Sequence, residues 1–222
     1  MRQAEKVDLG SDDWTMEIRP YASAFHFPIK ELWEYRDLLF LFVRRDFKTM
    51  YKQTILGPAW ILLSPLLTTG MFSLIFGRIA GISTDGTPAF LFYMAGNILW
   101  NYFSSCLSAT SSTFIGNAGL FGKVYFPRIV VPASSAVSKL ITFGAQFLLF
   151  LILLFCSLGS GQVRITWLCL MTPVLLVMLA LLAIGTGMIL ASLTAKYRDL
   201  QVLVGFGIQL WICLLYTSPS PR

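Results

Sequence analysis

Acidic residues all but vanish after the first quarter of this chain: of eleven Asp and Glu, only Asp85 and Asp199 lie beyond residue 54. Neither stands in mid-run, so no carboxylate is placed to carry protons inside an apolar segment, as a proton-coupled transporter requires. Histidine is confined to His26, and the four cysteines (Cys106, Cys156, Cys169, Cys213) stand singly, with no CxxC or Cys/His spacing. That pattern argues against a zinc site or a disulfide framework, and the thiols read as small apolar packing residues. HExxH and GxSxG are missing. So is a nucleotide-binding loop: its nearest candidate, Gly122-Lys123, would need glycine at 117 and Ser or Thr at 124, where the chain has Asn117 and Val124. No cofactor or metal is expected in this chain, and the energy for any work must come from a partner or a downhill gradient. The opening MRQAEKVDLGSDDW is polar and acidic without an apolar h-region, which argues against a cleavable signal peptide.

What is present is apolar. Hydrophobic residues make up 56% of the 222 positions and charged ones 13%, against roughly 25% charged in soluble domains. Long uncharged stretches dominate, so lipid must solvate most of the chain. The net charge of +6 is unevenly spread. Residues 1–54 hold nine basic and nine acidic side chains, whereas the later Lys and Arg stand alone at the ends of apolar runs. Anchoring at anionic membrane lipids explains that pattern better than a phosphate-binding stripe, and no nucleic-acid partner is expected.

A helix needs about 20 apolar residues to cross the hydrocarbon core, and the intervals between charges predict spans near 55–77, 88–115, 133–158, 166–194 and 200–216. The fold class expected is an all-α polytopic transmembrane bundle over residues 54–216, with four complete spans and a truncated fifth. A polar tail (1–28) precedes it and an atypical tail (217–222) follows. Arg44, Arg45, Lys48 and Lys52 immediately precede the first run, and Lys123, Arg128, Lys196 and Arg198 mark later turns on the same side. The positive-inside rule therefore puts the amino terminus in the cytoplasm. Pro58, Pro65 and Pro173 are expected to bend or thin their helices. Ala183, Gly187, Ala191 and Ala195 recur every four residues, a small-residue stripe that lets another helix approach.

Residues 29–53 differ in kind. Their apolar centre, LLFLFV, is too short to span, and aromatic and basic residues interleave around it. This suits an amphipathic helix lying in the membrane interface; packing on a partner is the alternative, and both can hold. Trp33, Arg44, Arg45, Asp46, Lys48, Tyr51 and Lys52 are its prominent side chains.

RRDFKTMYKQTILGPAWILLSPLL (Arg44–Leu67) closely resembles the approach to the first span in permeases of bacterial ABC-2 polysaccharide exporters, which serve O-antigen, capsule and teichoic acid. The resemblance continues through Ala95–Ser135, where NAGLFGKVYFPR is especially specific, and resumes at AKYRDLQVLVGFGIQLW (Ala195–Trp211). It implies an inner-membrane half-transporter. Two permease copies, as a homodimer, would work with two separate ATPase subunits that bind Mg-ATP, and would move a lipid-linked polysaccharide outward.

By the same resemblance, Gly116–Arg128 is an ATPase-coupling loop, with Gly119, Gly122, Lys123, Tyr125, Phe126, Pro127 and Arg128 prominent. Glycines are expected to break the second span there and a proline to end the loop. Lys196, Tyr197, Arg198 and Asp199 form a second cytoplasmic turn. Helix 29–53 would flank the ATPase and the substrate's lateral access. Trp60, Phe72 and Phe76 on the first span, with Tyr93, Trp100, Tyr102 and Phe103 on the second, are candidate channel aromatics. Lys139 either snorkels to the cytoplasmic surface or pairs with an anionic lipid-linked substrate.

Family members continue into a sixth span. Here the likeness fades after Trp211, and a truncated carboxyl terminus is expected. The alternatives are an ABC-2 permease for a drug or simple lipid, a membrane-embedded enzyme acting on a lipid carrier, and a passive scaffold.

Overall fold

Uncharged runs of good helix formers, with glycine or proline at their borders, become helices here. The computed structural model describes residues 33–51, 57–79, 81, 87–123, 126–158 and 171–217, and all regular structure among them is helical. Helix α1 is Arg36–Tyr51 and α2 is Ala59–Phe72, which runs on into a π-helical stretch, Ser73–Ile79. Helix α3 is Ala89–Ser111, followed by two single turns, α4 (Thr113–Gly116) and α5 (Ala118–Phe121). Helices α6 (Val130–Leu158), α7 (Thr172–Lys196) and α8 (Leu200–Thr217) complete the bundle.

A helix thus stands at each expected span. Three helical stretches, Ala59–Ile79, Val130–Leu158 and Thr172–Lys196, are long and apolar enough to cross a membrane, while Leu200–Leu214 is shorter. The tails 1–28 and 218–222, and residues 166–170 of the fourth expected span, lie outside the described residues. Two proline expectations need correction. Pro58 precedes α2, and Pro173 sits in the first turn of α7, where its missing amide proton would be unpaired in any case. Neither interrupts a helix interior. Gly57, at φ +46°, makes the left-handed turn that aims the chain from α1 into α2, a conformation glycine adopts without a Cβ penalty.

Helix α3 is the centre of the bundle, packed by α2, α6, α7 and α8. It is less apolar than its neighbours because it carries Asn97, Asn101 and five Ser or Thr residues. Its position makes that tolerable. Met94, Ile98 and Cys106 are fully enclosed, and two of its polar groups meet other helices. Asn97 donates to Thr69 Oγ1 on α2 at 3.4 Å, and Asn101 donates to Gln146 Oε1 on α6 at 3.4 Å. Gln146 Nε2 in turn donates to the Ile61 carbonyl at 3.3 Å. That carbonyl is four residues before Pro65, which is buried inside α2 and has no amide to offer it. Gln146 therefore satisfies the acceptor that Pro65 orphans, and one polar junction joins α2, α3 and α6.

On the opposite side α7 packs closely along α3. A Cβ on Gly187 would sit 2.6 Å from Thr110 Cβ. Ala183, Gly187 and Ala191 are buried as the stripe predicts, but Ala195 is exposed and Thr194 takes its place. The reason is helical drift. At about 100° per residue, a four-residue repeat turns by roughly 40° each step, so Ala195 lies roughly 120° from Ala183, and Thr194 only about 20°. Thr194 Oγ1 donates to the Ser111 carbonyl at 2.7 Å, which brings the carboxyl-terminal ends of α3 and α7 to the same end of the bundle.

Two outcomes are expected in detergent-solubilised protein. Gly187→Leu should lower the thermal midpoint strongly, as overpacking costs about 1–3 kcal/mol or more. Gly185→Leu, whose Cβ meets nothing within 4 Å, should leave it near wild type; equal shifts would refute the close α3–α7 crossing. Separately, Gln146→Leu should cost about 1 kcal/mol in the wild-type background. It should cost clearly less in Pro65→Ala, where an amide returns to Ile61. An unchanged cost in both backgrounds would sink the orphaned-carbonyl account.

Candidate functional site

The amphipathic helix and the loop after α3, singled out separately in the sequence, meet in the structure. Along α1 and the turn before it, Tyr35, Leu38, Leu39, Phe42 and Val43 are wholly or partly covered. Their alternating spacing of three and one is that of a single helical face. Phe42 is 5% and Phe126 6% exposed, and they share a cluster with Val130 and Val131 at the start of α6. The Phe42 and Phe126 ring centroids lie 5.9 Å apart. Phe121 stacks on Phe126 at 5.4 Å, and Phe114 meets Phe121 at 5.9 Å. Aromatic packing thus links α1, through Phe126 and Phe121, to α4 just beyond the end of α3.

The rest of α1 looks outward. Trp33, Phe40 and Leu41 are exposed at 72%, 69% and 62%, and Arg44, Arg45 and Lys48 are exposed beside them. Exposed apolar rings with flanking cations fit a membrane interface. Arg45 is held in place twice, with its guanidinium 4.8 Å from the Phe42 ring and 2.8 Å from the Asp46 carboxylate. Helix α1 therefore lies on its own chain with one face and keeps a second apolar face free. The side chain of Tyr51, and all of Lys52, lie outside the described residues.

The break after α3 is made by different residues from those expected. Ser112 (φ −96°, ψ 3°) and Asn117 (φ −117°, ψ 18°) interrupt the helix, whereas Gly122 keeps helical angles and Gly119 lies within α5. The cause is competition from side chains. Ser111, Ser112 and Thr113 donate to carbonyls of the preceding turn at 2.9, 3.0 and 3.1 Å, and Asn117 Nδ2 donates to the Thr113 carbonyl at 3.1 Å. Hydroxyls bonded this way loosen the backbone ladder they imitate.

Lys123 and Arg128 stand exposed on either side of the buried Phe126, with Pro127 half-buried in the turn that starts α6. Tyr125 lies outside the described residues. At the same end, the turn from Lys196 to Asp199 is fully exposed, and the Lys196 ammonium lies 5.2 Å from the Tyr197 ring. The two basic turns are tied together beneath by the Thr194–Ser111 hydrogen bond. Among the described residues this arrangement exposes Lys123, Arg128, Lys196 and Arg198 at one end of the bundle, on a base packed against α1, α3, α6 and α7.

The candidate channel aromatics separate into four places. Trp60 is 46% exposed at the start of α2. Phe72, Phe76 and Tyr93 form a chain, with centroid distances of 5.7 and 6.1 Å, that joins α2 and its π-helical end to α3. Tyr102 is buried against Phe143 on α6 at 5.5 Å. Trp100 and Phe103 instead meet Trp211 of α8 at 6.5 and 6.4 Å, beside an apolar cleft of about 570 Å³. Trp211, Phe42 and Gln146 were not singled out from sequence. Phe42 carried a signal in the helical spacing of α1; Trp211 and Gln146 depend on contacts between distant segments.

The described residues thus form an apolar helical bundle with an amphipathic arm packed on a basic, exposed loop, the make-up of a membrane-embedded subunit. The chain matches the ABC-2 type transporter family over residues 37–216 and belongs to it. It is 31% identical over 183 residues to the O-antigen export system permease protein RfbA of Myxococcus xanthus, covering 82% of this chain and 68% of that one. Two proteins of the same name from Klebsiella pneumoniae are 27% and 28% identical, with the same shares covered. Membership makes the chain a transporter's membrane subunit rather than an enzyme and implies an ABC ATPase as its partner.

If Phe42 and Phe126 lock the arm to the loop, their effects should couple. Phe42→Ala and Phe126→Ala should each lower thermal stability, and the double variant should fall short of the sum by about 0.5–1.5 kcal/mol. Strict additivity would show that the two rings do not act together.

Proposed function

We propose that this chain is the permease of an exporter that moves a lipid-linked polysaccharide outward across the bacterial cytoplasmic membrane. Two copies work with two ATPase subunits docked on the cytoplasmic side, where the amino terminus also lies. The names of the relatives support the substrate class, and the excess of basic residues at one end of the bundle supports the orientation. The observation that carries the mechanism is the shared packing of Phe42, Phe126 and Phe121.

A push on the loop at Lys123 and Arg128 reaches packed aromatic side chains. Phe126 transfers it to α1 and the start of α6, and Phe121, through Phe114, to the single turn that follows α3. Packed aromatic interiors resist compression, so movement of the ATPase becomes movement of helices. Binding of Mg-ATP, which the partner holds, drives the outward path open, and hydrolysis resets it. Of the candidate channel aromatics, Tyr93, Tyr102 and Phe103 are buried, so the flat apolar faces along which sugar C–H surfaces slide come from Trp60, Phe72, Phe76 and Trp100.

The test is reconstitution of the permease with its ATPase in proteoliposomes loaded with lipid-linked polysaccharide. Lys123→Glu combined with Arg128→Glu should abolish ATP-dependent export and weaken ATPase copurification, with the folded permease still present. Export at the wild-type rate from that variant would overturn the coupling role of the loop.

A further inference from the structure

Lys139 lies roughly 14 Å along α6 from Val130, too far in for a cation to be held without cost unless something meets its charge. It stands between two cavities. The larger, about 470 Å³, is lined by Ser104, Ser105, Ser108 and Ser112 of α3 together with Lys139, and α8 closes one side with Gly205 and Ile208. The smaller, about 290 Å³, is lined by Asp46 and Thr49 of α1 and by Ser135 and Ser138 of α6.

Among the described residues Lys139 makes no ion pair. The acid nearest this region, Asp46, is already engaged by Arg45 at 2.8 Å. The serines recur on one face of α3. Ser104, Ser105 and Ser112 donate to the Asn101 carbonyl, to Asn101 Oδ1 and to the Ser108 carbonyl at 3.2, 3.5 and 3.0 Å, so their protons are already committed. The Ser108 hydroxyl has no partner among the described residues and is the one left to donate into the cleft. A half-buried lysine beside that free hydroxyl, against a wall that glycine keeps low, matches a group with several anionic oxygens. Phosphate is such a group, since it accepts from the lysine and from Ser108 at once.

We propose that this cleft receives the phosphate-bearing headgroup of the substrate's lipid anchor, with Lys139 as the countercharge and Ser108 as the donor. The inference rests on the exporter reading and adds a site to it. The anchor's hydrocarbon remains in the lipid on the open side of the cleft, and the polar headgroup leaves the membrane surface only as far as Lys139.

The test uses the full permease–ATPase complex in nanodiscs of phosphatidylcholine, titrated with a polyprenyl pyrophosphate, with inorganic pyrophosphate and with phosphatidylglycerol. Lys139→Gln should weaken polyprenyl pyrophosphate binding about tenfold or more, and Lys139→Arg should recover most of it. Gly205→Leu should also weaken binding while leaving thermal stability intact, because its Cβ enters open space and leucine favours helix. Phosphatidylglycerol binding should not change. Wild-type affinity in both Lys139→Gln and Gly205→Leu would overturn the site. So would parallel loss of phosphatidylglycerol binding, which marks a mere surface anchor, or inorganic pyrophosphate binding as tightly as the lipid probe. Polysaccharide export by the wild-type complex is scored separately: intact export with unchanged binding in the variants sinks only this site, whereas no export by the wild type sinks the exporter reading itself.

Discussion

Hydrocarbon supplies no hydrogen bonds, so the Asn97 and Asn101 side chains of α3 are met from within the protein, and that constraint orders one whole side of the bundle. An unsatisfied backbone carbonyl costs several kcal/mol in such a medium. Pro65 creates one at Ile61, and Gln146 reaches it from α6 while also accepting from Asn101 on α3. Asn97 and Thr69 repeat the logic further along the same interface. Among α2, α3, α6, α7 and α8, the helix with the least apolar composition is therefore the one most completely surrounded. Apolar packing alone would give α6 and α7 little reason to prefer α3 over lipid tails. The polar junction on one side, and the close approach at Gly187 on the other, supply the preference.

The same chemistry ends α3. Where side-chain hydroxyls compete with the ladder, from Ser111 to Thr113, the helix comes apart into single turns. These turns need cover of their own, and Phe114, Phe121 and Phe126 provide it by packing back towards α1. The loop is thereby short of backbone regularity yet firmly seated. A coupling element needs both properties, because it must change direction without yielding under load.

The all-helical class and the order of the helices were legible from charge spacing, since most charged side chains mark the limit of an apolar run; Lys139, inside α6, is the exception. Helix ends were legible only where the cause is local. Pro58 and Pro173 looked like interior kinks because a proline's position within a helix depends on where the first turn nucleates, and Ser112 was missed because its effect depends on hydroxyls on neighbouring residues acting together. The stripe on α7 was seen with one wrong member, Ala195, because a four-residue repeat drifts off a 3.6-residue helix. The partners of Gln146 and Trp211 were beyond reach. A lone glutamine in an apolar run announces that a partner exists, but the carbonyl it satisfies is 85 positions away.

Coupling and the Lys139 cleft share a wall. Asp46 and Thr49 of α1 line the cavity on one side of Lys139, and α1 is the element that Phe42 joins to Phe126. A displacement of the loop that carries α1 with it shifts Asp46 relative to Lys139, while Ser104 to Ser112 move with α3. Arg45 and Asp46 are neighbours on α1 and pair at 2.8 Å, so any movement of α1 carries the acid and its own countercharge past Lys139 together. On the exporter reading proposed above, loop movement would therefore change the shape of the cleft around Lys139, not the charge that the lysine faces.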